Sequence, residues 1–353
     1  MGLVKELLKP LAEDGTAMSR EQAAAVLREI LAGNVPDVET AALLTVLATR
    51  GEQAPELAGF VEAMRSLATP VPLTNEEREQ LVDTCGTGGG GPGTFNISTG
   101  AALVAAAAGA KVAKHGNRAM TSHCGSADVL EALGVPVNLS PELAAECLRA
   151  TGFMFLLAPL YHPAMKAVAP LRRALGFRTI FNLCGPLTNP AGARSQVIGV
   201  LAPSRVLLVG RALAELGARR AFVVHGSDGI DELTTTAESV VARVEEPTPE
   251  GGPALKAARI TPEMAGLSRA TLEDLKGGDA EANAAILYDV LAGIPGPRRD
   301  IVLFNAAAAL VAAGLAGDLK EGVSIGAEAI DSGEAAATLA KLRQFGAKHS
   351  SAQ

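Results

Sequence analysis

The stretch DTCGTGGGGPGTFNIST, Asp83 to Thr99, runs from the end of a short apolar strand, through five closely spaced glycines and Gly93, into an alanine-rich helix. Glycines lack Cβ, so backbone N–H groups can crowd onto an anion, and the helix N-terminus adds the positive end of its dipole. A phosphate cradle is the functional reading. A flexible tight turn is the plainer alternative, but a turn does not require that many glycines. Gly86, Gly88 and Gly91 also fit GxGxxG, a weak signal by itself. A dinucleotide fold wants an acid at the end of the second strand; here Lys114 and His115 stand there, so that reading loses. No GK[ST] follows the glycines, which removes the nucleotide-triphosphate loop as well.

Around this stretch the pattern is strand, helix, strand: Gln80 to Thr84, Ile97 to Gly109, then Lys111 to Lys114. That unit predicts a parallel sheet. Strands at Phe153 to Leu157, Gln196 to Leu201 and Ala221 to His225 continue it, with helices at Ala127 to Leu133 and Leu207 to Leu216. PTPEGGP, Pro247 to Pro253, reads as a loop; Asn283 to Leu291, Ile301 to Ala313 and Glu334 to Phe345 read as closing helices. The first seventy residues differ. Arg20 to Ala32 places Ala23, Val26, Leu27, Ile30 and Leu31 at helical spacing behind Ser19 as N-cap, and Asp37 to Thr49 and Pro55 to Leu67 repeat the pattern. The expectation is an α/β protein: a small helical domain over 1–73, with a helical segment near 166–186 joined to it, and a large α/β domain over 74–353 with a mostly parallel central sheet.

The composition narrows the partners. Thirty-one Lys plus Arg face 38 Asp plus Glu, a net charge of -7, whereas nucleic-acid and anionic-membrane footprints are basic. An anionic ligand must be held locally, against the overall field. The four cysteines form no CxxC pair and read as free thiols. The start, MGLVKELLKPLAEDG, lacks a signal-peptide layout, and no apolar run is long enough to span a bilayer, so a cytoplasmic protein is expected.

Three further segments carry polar groups to the ends of strands. KHGNR, Lys114 to Arg118, should face the glycine loop, because successive parallel strands end at one edge. HGSDGIDE, His225 to Glu232, follows another strand, and adjacent Asp231 and Glu232 suit a hard cation such as magnesium; a solvated acidic turn is the alternative. Arg172, in LRRALG, could grip a carboxylate with two parallel hydrogen bonds or simply be surface charge.

Taken together, the glycine loop through FNIST, then KHGNR, GSADVLEALG (Gly125 to Gly134), HPAMK (His162 to Lys166), RTIFNLCGPLTNP (Arg178 to Pro190) and GIDE (Gly229 to Glu232) resemble the anthranilate phosphoribosyltransferases over essentially the whole chain. The resemblance implies the two-domain nucleoside phosphorylase/phosphoribosyltransferase-like fold and a homodimer joined through the helical domain. It implies transfer of a phosphoribosyl group from 5-phosphoribosyl 1-diphosphate to the amine of anthranilate, with magnesium, in tryptophan biosynthesis. It places Gly86, Thr87, Gly88, Gly89, Thr94, Asn96, Ser98, Thr99, Lys114 and Ser126 on the diphosphate substrate. Gly86, His115, Asn117, His162 and Arg172 fall on the anthranilate path, and Ser98, Asp231 and Glu232 on magnesium. No residue is implied as a general base, since an aromatic amine is already neutral near pH 7. Two departures stand out: Gly90 where the family pattern GTGGD has Asp, which bears on magnesium binding, and His123–Cys124 in place of Lys–Ser. The alternatives are a pyrimidine nucleoside phosphorylase and a non-catalytic nucleic-acid-binding homologue of the same fold.

Overall fold

The computed structural model describes residues 2–88, 93–119, 123–246 and 255–350. The chain opens with α1 (Leu3–Glu13), α2 (Arg20–Leu31), α3 (Asp37–Arg50) and α4 (Ala54–Ser66). Ser19 begins α2 as expected: its hydroxyl accepts from the Gln22 N–H at 3.2 Å, and the Gln22 side chain accepts from the Ser19 N–H at 2.9 Å. α1, which periodicity did not delimit, contains Pro10 yet buries Val4 and Leu11.

The α/β part starts with α5 (Asn75–Glu79), β1 (Leu81–Gly86), α6 (Ile97–Ala107) and β2 (Lys111–Gly116). It continues through α7 (Ser126–Ala132), α8 (Pro141–Thr151), β3 (Phe153–Leu157), α9 (Ala158–Tyr161), α10 (Ala169–Leu175) and α11 (Ile180–Leu187). Then come β4 (Ser195–Gly199), α12 (Pro203–Glu215), β5 (Arg220–Gly226), β6 (Ser239–Val244) and β7 (Leu255–Ile260). Helices α13 (Ala280–Leu291), α14 (Pro297–Ala313), α15 (Leu319–Asp331) and α16 (Glu334–Ser350) close the chain. The seven-stranded sheet has the order β3-β2-β1-β4-β5-β6-β7. Its first five strands are parallel, and β6 and β7 join them antiparallel. A small helical unit beside a mostly parallel α/β sheet is thus the observed architecture.

Helices α6 and α14 cover one face of the sheet, and α12 covers the other. The core under α12 runs on without a break into the bundle: Ile198 and Val223 of the sheet, Val209 and Leu213 of α12, and Leu57 and Phe60 of α4 belong to one buried cluster. Phe60 also meets Phe181 of α11, ring centroids 5.8 Å apart. Alanine fills much of the other core; α6 buries Ala101, Ala102, Ala105 and Ala106, which lets a short-side-chain helix sit close to the sheet.

Several elements were not anticipated. The β6–β7 hairpin is one; β7 is an exposed edge whose LKAARI lacks an apolar face, and the expected loop at 247–253 lies outside the described residues. Helix α8 is another. In α15, Gly322 and Gly326 depress helix propensity in the sequence, yet they are what lets it dock. A Cβ at Gly322 would lie 2.8 Å from Ala307 Cα of α14.

Candidate active site

Strands β1, β2, β4 and β5 end in Gly86, Gly116, Gly199 and Gly226, and being parallel they deliver these ends to a single edge. The glycine loop leaves β1 there. The Thr87 N–H donates to the Gly199 carbonyl at 2.9 Å, and Gly88 takes a φ of +61°, which glycine adopts without strain. Gly89, Gly90 and Gly91 lie outside the described residues.

The acidic pair after β5 comes back to this loop. A Cβ on Gly199 would stand 1.7 Å from the Asp231 carbonyl oxygen, so β4 must end in glycine for that segment to cross it. A Cβ on Gly86 would lie 3.1 Å from Asp231 Oδ2. Glu232 Oε1 accepts from the Ser98 N–H at 3.2 Å, in the first turn of α6. The next residue is held from both sides: Asn305 of α14 accepts from the Leu233 N–H at 2.9 Å and donates to its carbonyl at 2.8 Å. Burial raises both acids. Glu232 is pushed up to about 8, first by burial and then by the neighbouring Asp231 carboxylate, against the pull of Lys114.

The expected strand ended at Lys114; β2 runs two residues further, to Gly116, so His115 lies within it as well as Lys114, 3% and 2% exposed. The Lys114 ammonium donates to the Thr84 carbonyl and to Thr84 Oγ1, and burial lowers its pKa while Asp83 and Glu232 hold its charge. His115 packs against His162, ring centroids 5.1 Å apart. Burial lowers His115 to about 3 and His162 to about 4, so both imidazoles are neutral near pH 7. Both ring nitrogens of His115 and Nε2 of His162 complete no hydrogen bond among the described residues, although the Gly185 and Thr188 backbones of the α11 turn are their polar neighbours. Both rings thus keep hydrogen-bonding capacity beyond these backbone neighbours.

Arg172, on α10, is half-buried with its guanidinium over the Phe181 ring, 5.2 Å from the centroid. Arg172 at Phe181, His115 at Gly185 and His162 at Thr188 thus follow one helix, α11. Asn117 is exposed, and its carbonyl accepts from Ser126 Oγ at 3.3 Å, which ties those two expected residues together. Asn96 donates to the Cys124 carbonyl at 3.2 Å and accepts from Asn283 at 2.9 Å; the backbone of Cys124, not the side chain that departs from the family pattern, serves it. Thr87 and Thr99 have buried hydroxyls with no partner among the described residues, while Thr94 bridges to Lys276 beside the loop.

Asp83, Asn189 and Asn283 were missed by the sequence reading. Asp83 is fully buried and raised to about 6 by that burial, opposed by Asn189 and Lys114. Asp83, Cys85 and His115 also bring potential ligand atoms within 4.8 Å of one another. Asp83 already accepts from the His115 N–H and the Asn189 amide, and burial keeps the Cys85 thiol protonated, so the trio reads as structure.

Two family descriptions match the chain, the helical bundle domain of a glycosyl transferase family over residues 5–68 and its α/β domain over residues 78–336. Anthranilate phosphoribosyltransferases from Moorella thermoacetica and Solibacter usitatus are each 50% identical to it, covering 92% and 98% of this chain and 93% and 99% of their own. The chain belongs to the anthranilate phosphoribosyltransferase family. Among solved structures, that of the Thermus thermophilus transferase superposes with a TM-score of 0.88 at 46% identity, covering 98% of this chain and 99% of its own. The Saccharomyces cerevisiae transferase, in complex with PRPP and Mg, matches at 0.85 and 27% identity over 98% of both chains. Family membership supports phosphoribosyl transfer, and neither the phosphorylase nor the nucleic-acid-binding alternative is favoured.

Proposed function

We propose that this transferase moves the phosphoribosyl group of 5-phosphoribosyl 1-diphosphate to the amine of anthranilate, releasing diphosphate, in the cytoplasm and within tryptophan biosynthesis. The observation that carries the site assignment is the meeting of a buried ammonium, Lys114, and two half-buried carboxylates, Asp231 and Glu232, at one glycine loop and helix N-terminus. In this reading Gly86, Thr87, Gly88 and Gly89 cradle the diphosphate beside Thr94, while Asn96, Ser98, Thr99, Lys114 and Ser126 hold the rest of the donor substrate. Gly86, His115, Asn117, His162 and Arg172 receive anthranilate. The working form is a homodimer joined through the helical unit, residues 1–73 with 166–186, against the α/β unit 74–353.

The donor set suits magnesium. Two adjacent half-buried carboxylates, both raised by desolvation and opposed by Lys114 at Glu232 and by Arg178 at Asp231, offer the hard oxygen donors that a divalent cation takes. Ser98, Asp231 and Glu232 would hold it, and bound magnesium would neutralise charge on the diphosphate.

The reaction breaks the anomeric C–O bond, whose electron pair leaves with diphosphate, and forms a C–N bond from the lone pair of the amine, which then sheds one proton to the departing diphosphate or to water. Lys114 and the loop N–H groups stabilise the departing anion. His115 and His162, being neutral, offer hydrogen-bonding nitrogens without a competing charge. Arg172 grips the carboxylate, and orientation supplies most of the rate, since the amine needs no strong base. The test is direct: anthranilate fluorescence should fall only when protein, 5-phosphoribosyl 1-diphosphate and magnesium are all present. Fluorescence that persists in the complete mixture refutes the assignment.

A further inference from the structure

We infer that Asp83 and Asn189 form a side-chain wedge between β1 and β2 that positions His115 for the aromatic substrate. The evidence is an interrupted ladder. β1 pairs with β4 through to Gly86↔Gly199, and β2 pairs with β3 through to Gly116↔Leu157. Yet β1 and β2 pair only at Leu81↔Lys111 and Val82↔Val112. Beyond Val82 the backbone groups of β2 find side chains instead. The Ala113 carbonyl accepts from Asn189 Nδ2 at 2.8 Å, and the His115 N–H donates to Asp83 Oδ1 at 3.0 Å. The two side chains are joined as well, Asn189 Nδ2 donating to Asp83 Oδ2 at 2.8 Å, while Asn189 Oδ1 accepts from the Ala191 N–H at 2.9 Å. Each amide atom thus has a fixed role, and neither residue is more than 2% exposed.

A continued ladder would satisfy the same backbone groups with no buried carboxylate, and would hold the strands about 4.8 Å apart. Inserting a carboxylate and an amide replaces those ladder bonds with side-chain bonds at the end where the ligand edge lies. The burden of this arrangement is visible in Asp83, whose carboxyl burial raises to about 6. The same insertion fixes the backbone of His115, whose ring nitrogens are unpartnered and face His162. Asn189 also ties the turn after α11 to β2, so the two sides of the proposed anthranilate path, His115 and the α11 segment, share one fastening. Asp83 and Asn189 are positioning residues; neither touches substrate in this account.

The inference rests on placing His115 in the anthranilate path, and the experiment separates the two. Steady-state constants for both substrates and melting curves are measured for His115→Ala, Asp83→Asn and Asp83→Asn/Asn189→Asp. Asp83→Asn keeps shape but turns an amide donor against either the His115 N–H or Asn189. It should raise the anthranilate KM, or lower kcat/KM for anthranilate, about 10- to 100-fold, with the KM for the diphosphate substrate changed less than about 3-fold. The double variant exchanges donor and acceptor across the Asp83–Asn189 bond and leaves an acceptor for His115, but it sets a carboxylate oxygen against the Ala113 carbonyl, so recovery is only partial. It should recover at least about 3-fold of the lost kcat/KM. Equal weakening of both substrates, or no recovery in the double variant, overturns the positioning role. If His115→Ala leaves anthranilate kinetics unchanged, the anthranilate path is wrong and the wedge has nothing to position. Should Asp83→Asn fail to fold, hydrogen exchange on the wild type decides: the His115 amide must be as protected as that of Val82, and rapid exchange there overturns the inference.

Discussion

Replacing Glu232 by Gln should stabilise the protein at alkaline pH while disabling it. Glu232 sits at about 8 in the folded chain against 4.5 in a model peptide, because burial and the adjacent Asp231 carboxylate both oppose its charge. An acid raised on folding holds its proton longer in the folded state, so stability falls as pH climbs from the unfolded to the folded pKa and stays reduced above it. Each unit is about 1.4 kcal/mol, which sets a ceiling of ~5 kcal/mol above pH ~8. Gln does not recover all of that. Lys114 loses a counter-charge in the same pocket, and the Ser98 N–H exchanges a charged acceptor for a neutral one. A net gain of ~1–3 kcal/mol, on the order of 2–5 °C in melting temperature, is expected near pH ~9, shrinking to nothing near pH ~5. His115 and His162 titrate with the opposite sign: both are lowered, so their contribution is lost as pH falls from about 6.5 toward 4. They are common to both proteins and cancel in the difference. Melting curves for wild type and Glu232→Gln across that pH range check the reasoning. A difference that is constant with pH, or a variant that melts lower at alkaline pH, refutes it.

Arg172→Ala should lose ~2–3 kcal/mol of anthranilate binding, about 30- to 150-fold in its KM, while the diphosphate substrate is little affected. Part of any loss in melting temperature would come from the removed contact over Phe181, so equal weakening of both substrates would mark the residue as structural. Gly199→Ala must move backbone, since its Cβ would fall 1.7 Å from the Asp231 carbonyl oxygen; a loss of at least ~3 kcal/mol in denaturant midpoints, with loss of activity, is expected.

The parts of the site that were legible in sequence are those that announce themselves locally. A glycine run between a strand and a helix has few alternatives to an anion cradle, and a lysine–histidine pair at a strand end shares that edge by topology alone. Depth was not legible. Lys114 and His115 are buried strand residues, a placement that nothing in KHGNR signals, because long polar side chains are ordinarily exposed. The Asp83–Asn189 bond spans 106 positions, so neither residue carries a local cue. Asp83 reads as the end of an apolar strand and Asn189 as part of a Pro-flanked turn. Gly322 misled in the opposite sense, weakening a helix in the sequence for the sake of a contact with α14 visible only in three dimensions.

The charge balance poses the sharper question, because a chain of net charge -7 is asked to hold a polyanion. The charged side chains at this edge do not reverse that field: Lys114 lies near Asp83 and Glu232, and Arg178 near Asp231. The described backbone donors here are already engaged: the Thr87 N–H serves the Gly199 carbonyl, and those of Ile97, Ser98 and Thr99 serve Phe95, Glu232 and Asn96. They bear partial charges only, so backbone dipoles alone do not offset the carboxylates. A bare diphosphate would meet two carboxylates at the place where the loop receives it. A diphosphate arriving with its divalent cation would not, for the cation would take the carboxylates while the loop takes the anion. The acid at this edge is thus complementary to a charge-neutralised substrate, which reconciles Asp231 and Glu232, both raised by burial, with the proposed phosphate-binding role of the loop.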